Sequence, residues 1–147
     1  MDYLTQFHWW YVPVLLILLF VFTADSKGGL VQKKFAAVFQ ILDDRFQGCK
    51  PEADFCVFRA GKPVKLEIEV ELLAIPLGEE LEFYINGALL AKVPVKKDGS
   101  GAEAEFEHYS DEGVDFPTIV EGDEIVIRYE GIDVITGRFE LAYDSAA

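Results

Sequence analysis

The hydrophobic and polar positions divide the chain into three regimes. Asp2 and Asp25 bracket 22 uncharged residues, Tyr3 to Ala24. As a helix these would reach roughly 33 Å, close to the hydrocarbon thickness of a bilayer. Residues 1–25 therefore read as a single transmembrane anchor, with Trp9, Trp10 and Tyr11 as its membrane-interface aromatic belt. A cleaved export signal needs a basic start and small residues before the cut. This chain opens Met1-Asp2-Tyr3 and carries Phe22 two positions before Ala24.

The second regime, residues 26–48, has a helical period. Ser26 can cap a start, Gly48 can supply a stop, and Val31, Phe35, Val38, Phe39 and Leu42 recur as one apolar stripe. The expectation is an amphipathic helix whose stripe is covered by the following domain, by interfacial lipid or by a partner subunit.

A turn-rich connector, residues 49–62, holds the only two cysteines, Cys49 and Cys56. An even count at short spacing suits a disulfide, a staple of roughly 2–3 kcal/mol, and hence an oxidising compartment. Zinc would need two more soft ligands, and the chain's histidines are only His8 and His108.

From Pro63 the period becomes strict alternation. In PVKLEIEVELL the set Val64, Leu66, Ile68, Val70 and Leu72 falls on one face and Lys65, Glu67, Glu69 and Glu71 on the other, as in a strand with one wet side. Asn86-Gly87 between two apolar runs predicts a type I′ hairpin. AEAEFEHY, DEIVIRY, IDVIT and RFELAY read as further strands, with turns at DGSG, Glu130-Gly131 and Thr136-Gly137. Residues 63–147 are thus expected to form an all-β antiparallel, immunoglobulin-like sandwich, a small open barrel being the alternative. Both cysteines precede this sheet, so the likeness to antibody domains is architectural only.

The net charge of −13 excludes a nucleic-acid partner, because phosphate contacts need clustered Lys and Arg. From Pro63 onward there are 20 acids and 6 bases, a net of −14, so the β-domain is the polyanion. Lys27, Lys33 and Lys34 just after the anchor favour a cytoplasmic domain by the positive-inside rule. The cysteine pair favours the extracytoplasmic, periplasmic side, and that is the side expected.

Catalytic templates fail on supply, so no enzyme and no cofactor are expected. His108 is the only imidazole beyond the apolar segment, and no serine motif or phosphate-binding glycine loop accompanies it. Glu103, Glu105 and Glu107 share one strand face, the ordinary way to keep a sheet soluble. Asp111, Glu112, Asp115, Asp123 and Glu124 could hold calcium if their loops converge, although their spacing matches no strict calcium loop. His8 beside the tryptophans is a weaker candidate, as a tetrapyrrole ligand. Two functions follow. One is a non-catalytic accessory subunit of a larger membrane complex, contacting other subunits and membrane lipid. The other is a tethered binding module for glycan, peptide or calcium, for which Tyr109 and Phe116 are the candidate exposed aromatics. A pilin-like filament protein is a third and weaker reading, since this chain shows neither a processing site nor an early span glutamate.

Overall fold

The computed structural model describes residues 24–25, 29–99, 101–112 and 116–145. Among these residues the chain is an all-β antiparallel sheet with a single turn of 3₁₀ helix, Asp44–Phe46. The strands are β1 (Ala24–Asp25), β2 (Gly29–Ile41), β3 (Lys50–Phe58), β4 (Lys65–Glu71), β5 (Glu80–Ile85), β6 (Ala88–Pro94), β7 (Lys96–Asp98), β8 (Gly101–Tyr109), β9 (Glu124–Tyr129) and β10 (Ile132–Asp144). They follow one hydrogen-bonded path, β6-β5-β9-β10-β2-β3-β4-β8-β7, with β1 paired to β2.

The two ends of that path are neighbours in sequence. Only Val95 separates β6 from β7, and it is buried, donating its N–H to Glu79 and accepting from the N–H of Gly78. One extended segment, Ala88–Asp98, therefore meets β5 at its start and β8 at its end. This requires the sheet to curl, and the result is a half-barrel around one core. The expected antiparallel β-domain is present and its layers face one another as in a sandwich. The expected immunoglobulin arrangement is corrected: the described strands form one curled sheet rather than two separate ones.

The expected helix over 26–48 is also corrected, since Gly29–Ile41 is a 13-residue strand at the centre of the sheet, between β10 and β3. Its true period is two. Phe35, Ala37, Phe39 and Ile41 pack on the core, whereas Val38 and Leu42 are exposed. The five stripe residues thus do not lie on one common face: Phe35 and Phe39 share the core side, and Val31 belongs to a separate cluster with Cys56 and Phe58. Ala36 and Ala37, apolar on both faces, hid the alternation. Two long-range ladders decided between the readings, as tertiary context regularly does.

Three further local expectations meet the structure differently. The Asn86-Gly87 hairpin forms, with φ of 48° and 80° at its two positions, the left-handed values a type I′ turn demands. Leu72 does not continue the inner face of β4: at φ 56° it breaks the alternation and is exposed, and Leu73 takes the buried place. The turn expected at Thr136-Gly137 is the interior of β10, which runs unbroken past it opposite Phe39.

The core is built from Leu66, Ile68 and Val70 of β4, Leu81 and Phe83 of β5, Ile125 and Ile127 of β9, and Val134, Ile135 and Phe139 of β10. Phe46, held by the 3₁₀ turn, plugs one side against Tyr129 with ring centroids 5.8 Å apart. Asp43 caps that turn, accepting from the Arg45 N–H at 2.9 Å.

No disulfide links Cys49 and Cys56. Cys49 precedes β3 and Cys56 lies near its far end. The strand steps between them span about 20 Å, whereas a bridge needs Cα atoms within about 7 Å. Among the described residues no helix is long and apolar enough to cross a membrane. The expected anchor, with His8, Trp9, Trp10 and Tyr11, lies outside the described residues except for Ala24 and Asp25, which form β1.

Candidate functional site

Alternation along β3, β4 and β8 sends their acidic residues to the outer face of the sheet, and pairing then decides which carboxylates meet. Glu69 stands opposite Glu52 on one side and Glu105 on the other. Glu67 stands between Asp54 and Glu107 in the same way. Like charges directly across a ladder are unfavourable by roughly 0.2–1 kcal/mol each, so the array needs compensation.

Lysines supply part of it. Lys34 lies 3.5 Å from Asp54, Lys65 2.9 Å from Glu67 and Lys50 3.4 Å from Glu52. The rest shows as carboxyl groups that hold their protons more tightly than usual. Burial, followed by hydrogen bonds and charge from Glu71 and Glu103, pushes the Glu69 carboxyl up to about 8. Burial, then the charges of Glu103, Glu107 and other carboxylates, raises Glu105. Burial raises Asp54, against the opposing pull of Lys34.

Two trios converge, Glu67 with Glu105 and Glu107, and Glu69 with Glu71 and Glu103, each with one oxygen per residue within 4.8 Å of the others. Such an all-oxygen set can share protons, and it is the donor chemistry a hard divalent cation takes. The sequence showed the glutamates but not this convergence, because cross-strand register is absent from a single-strand pattern.

The expected calcium loops do not assemble this way. Among the described residues neither converging trio includes Asp111, Glu112, Asp123 or Glu124. Asp123 closes its own turn, accepting from the Val120 N–H at 2.8 Å, and Glu112 lies 2.8 Å from His108 Nδ1. Asp115 lies outside the described residues. His108 also stacks on Phe106 at 4.4 Å, and Ser110 Oγ accepts the Val64 N–H. Tyr109 packs on the Val31–Cys56–Phe58 cluster, and Phe116 lies against Phe55 at 6.2 Å, so neither is a loop-tip aromatic.

The curl leaves a second feature that the sequence did not reveal. Phe116, Pro117 and Thr118 cross the inner side of the sheet and divide two open clefts of about 500 and 460 Å³. The larger lies between this crossing and the inner faces of β2 and β3, at the end of the sheet where β1 pairs with β2.

No protein-family model matches the chain, and no curated protein matches it significantly in sequence.

Proposed function

We propose that the chain is a single-pass, non-catalytic accessory subunit of a larger membrane protein complex, of respiratory or photosynthetic type, whose β-domain braces the assembly at the membrane surface. One observation carries this reading: the sheet begins where the uncharged stretch ends. Ala24, the last residue of that stretch, pairs with Leu30, and β2 runs on to the centre of the sheet. A span ending there is joined to the central strand without a long spacer, so the domain abuts the membrane. Such a joint suits bracing better than free display of a binding module.

For the side of the membrane the cysteines lend no support to the extracytoplasmic expectation. The extracytoplasmic expectation rested on a disulfide, and the thiols stand at opposite ends of β3. Lys27, Lys33 and Lys34 then remain as the topological signal, and they favour a cytoplasmic domain.

Alkaline carbonate extraction of native membranes tests the tether. The full chain is expected to stay with the pellet together with its partner subunits, and a chain lacking residues 1–23 to appear in the supernatant. Release of the full chain would refute the proposal.

A further inference from the structure

The larger cleft, about 500 Å³, falls within the range of roughly 300–1,000 Å³ usual for small-molecule sites. Its wall is apolar, with Phe35, Phe55, Val57, Phe116 and Ile119, and among the described residues Lys33 is the one charged residue that lines it. On a chain with 26 acids and 13 bases, a cation at an apolar mouth is an unusual pairing. The Lys33 ammonium lies 5.3 Å from the Phe35 ring centroid and keeps 42% of its side chain exposed. Its carboxylate neighbour, Asp144, is 4.0 Å away, the outer limit of an ion pair.

We propose that this cleft binds a free long-chain fatty acid, the alkyl chain lying along the phenylalanines beneath Phe116 and the carboxylate pairing with Lys33. An apolar wall with one cation at its lip among the described residues matches one anionic head on one hydrocarbon tail. A sugar would find few polar partners there. Of the polar groups on the wall, the Ser110 hydroxyl oxygen already accepts the Val64 N–H at 3.0 Å. The ligand's carboxylate replaces Asp144 as the partner of Lys33, so Asp144 opposes binding. The proposal holds whether or not the chain serves as a subunit of a membrane complex.

The test is photolabelling of the full chain with a diazirine-bearing C16 fatty acid, mapped by mass spectrometry. Saturable labelling is expected in the peptides containing Phe55–Val57 and Phe116–Val120, with hexadecanol needing about five times the concentration of unlabelled palmitate to displace it. Lys33→Glu should weaken apparent affinity about five-fold, the size of one exposed ion pair. Lys33→Arg should retain binding and Asp144→Asn should strengthen it, and thermal melts establish that each variant is folded. Labelling that does not saturate, that is confined to residues 3–24, that hexadecanol displaces equally, or that Lys33→Glu leaves unchanged overturns the proposal.

Discussion

Phe39 lies across Gly137, its partner on the neighbouring strand, so closely that a Cβ at residue 137 would stand 2.7 Å from the Phe39 ring and 2.9 Å from the Val38 carbonyl oxygen. The glycine thus admits an aromatic ring over the bare backbone at the centre of the sheet, where β2 and β10 pair. Gly137→Ala must move the ring and a backbone oxygen together. It is expected to destabilise the fold by about 1–3 kcal/mol, the range for an overpacked interior. Denaturant melts should show a lower midpoint. An unchanged midpoint would mean that residues 29–41 do not pair with β10 in this register.

Glu69 makes stability depend on pH. Its carboxyl keeps a proton to about pH 8 in the folded chain, against an ordinary value of 4.5. Between those values the folded state binds more protons than the unfolded state, so stability falls as pH rises. The contribution is fully present below the ordinary value and is lost as pH passes through about 8. Asp54 and Glu105, both raised, act in the same direction. Melting temperature should therefore drop from pH 5 to pH 9. Glu69→Gln should flatten that slope and raise the melting temperature at pH 9, where the wild-type carboxylate would be ionised beside Glu52, Glu71, Glu103 and Glu105.

The unbridged cysteines give a chemical prediction. Cys56 is 6% exposed, and burial pushes the Cys49 thiol up. Since the thiolate is the reactive form, alkylation of the folded chain at pH 7 should be slow at both positions and slowest at Cys56. Denaturant without reductant should release two equivalents, counted by mass. Zero equivalents would indicate a bridge and restore the oxidising compartment.

Phe83 is fully buried in the core and sits opposite Ile127 of β9. Phe83→Ala should cost about 3–5 kcal/mol. Gly87→Ala, at φ 80° in an open turn with no steric neighbour, should cost only about 1–2 kcal/mol. A core loss no larger than the turn loss in urea melts would contradict the half-barrel core.

What the sequence disclosed follows from how local each signal is. Asn86-Gly87 needs only its own backbone, and Glu67, Glu69 and Glu71 need only the period of their own strand, so both were legible. The strand over 29–41 was not, because Phe35 and Phe39 satisfy a helical spacing as well as a strand spacing, and only pairing with β3 and β10 separates the two. Gly137 reads as a turn unless the ring opposite it is known. The convergence of Glu69, Glu71 and Glu103, and the cleft walled by Phe35, Phe55 and Phe116, arise from register and curl, which join residues far apart in the chain.

The central claim, that this β-domain braces a membrane assembly, is tested most directly by native electrophoresis of membranes solubilised in mild detergent, with the chain followed by immunoblot. The account predicts migration in a band far larger than the 16.5 kDa chain, with partner subunits identified in that band by mass spectrometry. A discrete band of the chain alone, or its recovery from the soluble fraction before detergent is added, would contradict it.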